Sequence, residues 1–160
     1  MKLQACKYLN DSSLEPLHKA GALPALRELD LSYGTLCQSA IEDLLAYCTH
    51  LTHVSMNGCI NMHDLNWGST EPPSYQSSSV SSNQLLKKHI EKPHRLLQNL
   101  NCVGCPSIKK VYIPSAAQCM HLSSLNLSLS VNLKEADIAC SNLCFLNLRY
   151  GVLTLSDFLQ

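Results

Sequence analysis

The sequence lacks net charge and any long apolar run. Its 160 residues include twelve Lys plus Arg and twelve Asp plus Glu, which gives a formal net charge of +0 at pH 7. A neutral chain does not favour binding to nucleic acid, which requires positive charge to neutralise phosphates, or to anionic membranes. No apolar stretch approaches the roughly 18 residues of a membrane span. We therefore expect neither a nucleic-acid partner nor a membrane partner.

Signals for secretion and for catalysis are also missing. Residues 1–6 are followed by polar residues, not by an apolar run and a cleavage site. Without a secretion signal, the nine cysteines are expected to be reduced thiols, in a protein of the nucleus or cytoplasm. The motifs G-x-S-x-G, H-E-x-x-H and G-x-x-x-x-G-K-[ST] are all absent. The sequence predicts a protein that is not an enzyme and has no cofactor.

What the sequence does contain is a repeated apolar pattern, L-x-x-L-x-L. Seven copies begin at residues 26, 51, 97, 108, 122, 133 and 143. Alternate residues of a strand point to opposite faces, so the apolar residues of each copy are expected to point inward. One coil cannot bury its own apolar face, and stability comes from stacking on neighbouring coils. The pattern predicts an α/β solenoid: a right-handed leucine-rich-repeat coil with a parallel β-sheet.

The spacing of the copies differs between the two halves of the chain. The copies at 26 and 51 leave room for a helix between them, and we expect helices on the convex side near 12–20 and 38–47. Ser12 and Glu15 match the capping-box pattern at the start of the first of these helices. From residue 97 onward the copies follow each other too closely for a helix, which predicts two strands per coil. The predicted organisation is helix-connected repeats in 1–65, a disordered Ser/Pro-rich insertion in 66–94 that replaces a missing coil, and short β coils in 95–160.

Cysteines flank the apolar pattern at fixed positions. One coil has the form C-x-x-L-x-x-L-x-L-x-x-C, with Cys48, Leu51, Val54, Met56 and Cys59. This combination resembles the cysteine-containing leucine-rich repeats of plant F-box proteins, and the resemblance covers about residues 1–149. It implies repeats that bind the protein substrate of an SCF-type ubiquitin ligase. The chain contains no F-box, so binding to the ligase adaptor is implied only through an F-box absent here. The alternative is a generic repeat scaffold with no ubiquitin link.

The residues between the leucines are expected to form a protein-binding face on the main sheet. This face is acidic at one end and carries an aromatic residue and an arginine, common anchors of protein interfaces, at the other. A plain solvated sheet surface is the alternative. Ser32, Val103 and Ser128 are also expected to point outward. The predicted binding face consists of Glu28, Asp30, His53, Ser55, Asn57, Asn99, Asn101, Ser124, Asn126, Phe145, Asn147 and Arg149.

Some cysteines suggest chemistry that the repeat explains better. Cys102, Cys105, Cys119 and His121 have the residue types of a zinc site, and Cys37 or Cys140 could be paired with a histidine as a reactive thiol, although no spacing supports such a pair. However, these cysteines occupy repeated positions or replace core leucines, and buried cysteine behaves as a small apolar residue. We therefore predict no metal site.

Both ends of the chain fall within the repeat pattern. Leu3 and Cys6 have the same spacing as Leu31 and Gly34, which places Met1 at the position of Leu29. A solenoid end normally carries a polar capping repeat. Neither end provides one, so we expect the isolated chain to self-associate unless the apolar residues 152–159 cover the second end.

Overall fold

The computed structural model describes residues 1–6, 8–17, 23–67, 96–114 and 119–151. Helix α1 leads directly into a 3-10 turn at Glu15–Leu17, and α2 is the longer helix. The bounds of the elements are α1 Asp11–Leu14, β1 Glu28–Asp30, α2 Gln38–Tyr47, β2 His53–Ser55, β3 Leu65–Asn66, β4 Asn99–Asn101, β5 Lys110–Ile113, β6 Ser124–Asn126, β7 Glu135–Ile138 and β8 Phe145–Asn147.

The strands form two parallel sheets. The main sheet has the order β1-β2-β4-β6-β8, and the second sheet has the order β3-β5-β7. Three successive coils, β2–β3, β4–β5 and β6–β7, each contribute one strand to each sheet. Strand β1, in contrast, is followed by helix α2. The chain is therefore a β-solenoid of about three turns. The predicted stack of parallel strands, with two strands per coil in the second half, is confirmed.

The core lies between the two sheets and consists of columns, meaning residues at the same place in successive coils. One column aligns the central residue of each main-sheet strand, including Val54, Leu100 and Leu125. These three side chains are at most 1% exposed. Burying one such side chain stabilises a fold by about 1.5–3 kcal/mol. The columns therefore explain why the repeat needs an apolar residue at this place in every coil.

Strand β3 belongs to a copy of the pattern that the sequence analysis did not identify. Met62, Leu65 and Trp67 have the L-x-x-L-x-L spacing, and all three are buried. Leu65 pairs with Val111 of β5, so this copy occupies the second sheet. Methionine and tryptophan at the outer positions, in place of leucine, concealed the copy in the sequence.

The expectation that a second coil is missing between residues 51 and 97 agrees with the main sheet. Strand β2 pairs directly with β4, with His53 opposite Asn99, so these strands belong to adjacent coils. The predicted insertion 66–94, however, begins too early, because Asn66 lies in β3 and Trp67 is buried in the core. The remaining residues of that range lie outside the described residues.

Helix α1 begins at a different cap from the one the sequence suggested. The pattern pointed to Ser12 and Glu15, but Asn10 is the N-cap. Its side chain accepts a hydrogen bond from the Ser13 N–H at 3.0 Å, and the Ser13 hydroxyl completes the capping box. Asparagine is among the strongest N-cap residues because its carbonyl oxygen reaches the unpaired N–H groups of the first turn. Helix α2 contributes buried residues such as Ile41 and Leu44 to the core.

Each coil turns at the same place, just after its main-sheet strand, through one residue in the left-handed backbone conformation. We call this residue the left-handed corner. Residues other than glycine rarely adopt the left-handed conformation, because it costs them about 1–2 kcal/mol. The corners are Ala5, Tyr33, Gly58, Gly104, Leu129 and Tyr150, with φ between 50° and 66°.

Candidate functional site

The main sheet brings the predicted binding face together. In one outward column, the register aligns Glu28, His53 and Asn99, followed by Ser124 and Phe145. A second outward column contains Asp30, Ser55, Asn101, Asn126 and Asn147. Asn57 and Arg149 lie just beyond the strand ends. All twelve side chains are exposed or half-exposed, so they form one surface across the sheet.

Three members of this face stabilise the turns of the solenoid. In three coils the side chain at the end of the strand accepts a hydrogen bond from the backbone N–H two residues later. The donors and acceptors are Ser32 N–H to Asp30 Oδ1 at 3.0 Å, Ser128 N–H to Asn126 Oδ1 at 3.2 Å, and Arg149 N–H to Asn147 Oδ1 at 3.1 Å. Short Asp and Asn side chains favour this local turn. Their repetition is therefore explained by the fold without any ligand.

The expectation that Ser32 and Ser128 point outward is wrong, since both are buried. The alternation of a strand stops where β1 and β6 end, and the following turn directs these serines inward. The Ser32 hydroxyl then accepts a hydrogen bond from the Asn57 N–H at 3.1 Å. In the other direction, Asn57 Oδ1 accepts from the Val103 N–H at 2.9 Å. Asn57 therefore links three successive coils.

We expect Asn57→Ala to lower the free energy of unfolding by about 1–3 kcal/mol, because the Val103 N–H loses its side-chain acceptor. The matched control is Asn99→Ala, on the same face, whose side chain makes no hydrogen bond within the described part of the chain. We expect it to change stability by less than about 0.5 kcal/mol. Urea denaturation measures both variants. Equal losses would contradict the structural role of Asn57.

The acidic end of the face retains its charge at neutral pH. Partial burial of Asp30 raises the pKa of its carboxyl group. The Ser32 hydroxyl and N–H, the Gln4 amide and the charge of Lys2 outweigh that effect, and the pKa is lowered. At the other end, Arg149 and Phe145 are both exposed. The predicted face therefore has carboxylates at one end and an arginine at the other.

A second exposed feature, not identified from the sequence, borders this face. Large apolar side chains are exposed along the turns that follow the main-sheet strands. They occupy the left-handed corner and the place two residues after it in several coils. We call this set the corner belt: Tyr33, Ile60, Leu129, Val131 and Tyr150, which are 49–77% exposed. The sequence carried one signal for the corner belt, namely an apolar residue at the corner position where other coils have glycine.

Glycine leaves a gap within the corner belt. The ring of Tyr33 lies over Gly58, where an added Cβ atom would be 2.6 Å from Tyr33 Cδ1. Above the next corner, Gly104, the nearest atom to such a Cβ would be Leu129 Cβ, at 4.0 Å. The belt therefore consists of two apolar groups. The first includes the ring of Tyr33 and the second starts at Leu129, with an open place at Gly104 between them.

The cysteines mainly serve the repeat. All nine are free thiols, and Cys48, Cys59, Cys102, Cys105 and Cys119 are buried. The Cys59 thiol donates to the Leu31 carbonyl oxygen at 3.4 Å, and the Cys105 thiol donates to the Met56 carbonyl oxygen at 3.0 Å. The Ser130 hydroxyl makes the equivalent bond to the Cys102 carbonyl oxygen at 3.3 Å. The repeated cysteine position therefore provides a small donor that joins adjacent coils.

Burial favours the neutral thiol at two of the cysteines that suggested a zinc site or a reactive thiol. Cys102 is fully buried, and the pKa of its thiol is raised by its hydrogen bond with Cys105 and by burial. Burial also raises the pKa of the Cys140 thiol, which disfavours the reactive thiolate. Among the described residues, no group of three or more His, Cys, Asp or Glu side chains is placed to hold a metal ion.

Two comparisons with known proteins gave no match: no protein-family model matches the sequence, and no solved structure matches the fold. In the part of the chain that the structure describes, none of the helices has the length and apolar character to cross a bilayer.

Proposed function

We propose that this chain is a protein-binding module, with the predicted binding face and the corner belt as its contact surface. The observation that carries the proposal is the belt: five large apolar side chains exposed at equivalent turns of the solenoid, in two groups separated by the open place at Gly104. Single exposed apolar residues are ordinary, whereas a group of them on one part of the surface marks an interaction site.

The two surfaces together match the composition of protein interfaces. Such interfaces combine an apolar centre that includes aromatic residues with a polar rim that forms hydrogen bonds. The belt provides the apolar part, including Tyr33 and Tyr150, and the adjacent face provides the polar part. Glu28, Asn99, Ser124 and Arg149 are polar members of the face whose side chains make no hydrogen bond within the described residues, so they are the best placed to meet a partner.

A narrower proposal is that the module recognises the substrate of an SCF-type ubiquitin ligase. The support for it is the resemblance of the cysteine-flanked pattern to leucine-rich repeats of plant F-box proteins, together with the stacked parallel strands that such repeats imply. Contact with the ligase adaptor requires an F-box outside this chain. The alternative is a repeat scaffold without a ubiquitin link. An F-box encoded upstream in the same transcript would distinguish the two.

The test begins with proximity labelling, using this chain as the bait, and continues with direct titration of the purified partner. We expect the double variant Ile60→Ser with Leu129→Asn to weaken the dissociation constant at least about tenfold, since apolar anchors dominate interface affinity. Asparagine tolerates the left-handed corner at residue 129. The control is Tyr112→Ser, an exposed tyrosine on the second sheet. Wild-type affinity in the double variant would refute the proposed surface.

A further inference from the structure

The coil of β8 exposes residues whose counterparts in the coils of β1, β2, β4 and β6 are buried. Leu146 is 39% exposed, whereas Leu125, at the same place in the preceding coil, is 0% exposed. Leu148 is half-buried, whereas Leu127 above it in the column is fully buried. Leucine at these two positions is typical of a coil that is covered on both sides. Here the two leucines lie in the last described strand of the main sheet and just after it.

No strand follows β8 in the main sheet among the described residues. In the preceding coil, the Leu127 N–H donates to the Asn147 carbonyl oxygen at 2.8 Å, and the Leu129 N–H donates to the Arg149 carbonyl oxygen at 2.9 Å. The equivalent donors one coil later are the N–H groups of Leu148 and Tyr150. Neither has an acceptor among the described residues. An open strand edge of this kind is a template for pairing with another chain.

The opposite end of the main sheet presents the complementary groups. Residues 1–5 lie beside β1, where Lys2 forms a parallel bridge with Asp30. The Leu3 N–H donates to the Asp30 carbonyl oxygen at 2.7 Å, and the Ala5 N–H donates to the Ser32 carbonyl oxygen at 2.9 Å. The alternation of a parallel strand therefore directs the carbonyl groups of Lys2 and Gln4 away from β1. Neither carbonyl accepts a hydrogen bond within the described residues.

We propose that residues 1–5 of a second copy of this chain add to β8 as the next parallel strand of the main sheet. The N–H groups of Leu148 and Tyr150 then donate to the carbonyl oxygens of Lys2 and Gln4 in the second copy. This is the hydrogen-bond register that joins every adjacent pair of coils within the chain. The second copy is therefore a suitable partner for β8, because it pairs through the same backbone geometry that repeats along the solenoid.

Side chains and backbone conformation fit the same register. Leu146 meets Met1 of the second copy, and Leu148 meets Leu3, so each column gains another apolar residue. Met1 is itself 43% exposed in the single chain. The corners also match, because Tyr150 and Ala5 both have the left-handed conformation, with φ of 63° and 50°. The two backbones therefore turn away from the sheet at the same place.

This contact joins two different surfaces, one from each end of the chain. Such a head-to-tail contact does not close on itself in a dimer, and it leaves one open end of each kind in every assembly. The assembly therefore grows with protein concentration and does not stop at a fixed number of copies.

Sedimentation velocity of the full chain across micromolar concentrations tests the proposal. We expect the average mass of the wild type to rise above 17.7 kDa with concentration. Lys2→Pro blocks one end, because proline places a ring and no N–H group on the open edge. Leu146→Lys blocks the other end with a charge. Each variant alone is expected to remain a monomer, and an equimolar mixture is expected to form a discrete dimer through the two intact ends.

The matched control is Met120→Lys, which replaces another exposed apolar side chain, 58% exposed, away from both ends. It is expected to assemble like the wild type. Hydrogen exchange of the wild type provides a measurement that requires no variant: the amides of Leu148 and Tyr150 should exchange more slowly as concentration rises. A wild type that stays monomeric, a mixture that forms no dimer, or amide exchange independent of concentration would each overturn the proposal.

Discussion

Leu100→Ala is expected to lower the free energy of unfolding by about 2–5 kcal/mol, because truncating a buried leucine removes apolar contacts and leaves a cavity. Leu100 lies in β4 at the middle of the main sheet and is 0% exposed. Coils on both sides cover it, through Val54 and Leu125. The neighbouring coils therefore cannot easily close the space that the substitution leaves.

The matched control for this prediction is Leu146→Ala, the same substitution in the same column at the open end. Both changes are measured by urea denaturation in the Lys2→Pro background, which we expect to keep the chain monomeric. We expect the loss at Leu146 to be less than half the loss at Leu100, because part of the Leu146 side chain already contacts water. Equal losses would mean that the end coil is as well covered as the middle of the stack.

Gly58→Ala is expected to cost about 2–4 kcal/mol of stability, from two causes that act together. Gly58 has a φ of +64°, and an added Cβ atom would lie 2.6 Å from Cδ1 of the Tyr33 ring. The left-handed conformation alone costs an L-residue about 1–2 kcal/mol. Displacement of the ring adds the remainder.

Gly104→Ala separates the two causes. Its φ is +66°, but the nearest atom to the added Cβ would be 4.0 Å away, so only the backbone cost applies. We expect a loss of about 1–2 kcal/mol for this variant. Adding Tyr33→Ser to Gly58→Ala should bring its loss down to that of Gly104→Ala. If the tyrosine substitution leaves the loss unchanged, steric conflict at the corner is excluded.

The sequence was sufficient to predict the main architecture because the columns of the core impose a strict pattern. Every main-sheet strand has an apolar residue at its centre, such as Leu29 in β1 or Leu125 in β6. The pattern was insufficient for β3, where Met62 and Trp67 fill the same space with different side chains. An apolar column specifies volume and polarity, so a pattern based on leucine overlooks a coil built from other residues.

The candidate site was less predictable, because strand alternation says nothing about the turns. It placed Asn99 and Ser124 on the outward face, as the structure does. It failed at Ser32, where the backbone leaves the strand and the side chain turns into the core. The exposed Tyr33 and Leu129 depend on the left-handed corner, and that conformation is not encoded by hydrophobic spacing.

The direct pairing of β2 with β4 also bears on how the chain reaches its folded state. Paired coils are 25 residues apart where Thr52 meets Arg27, but 46 apart where Asn57 meets Val103. Loop-closure entropy grows only with the logarithm of this separation, so the longer connection costs about 0.5 kcal/mol more. The greater contact order instead slows the search for that contact. We therefore expect the pairing of β2 with β4 to form more slowly than the pairings between coils that are closer in sequence.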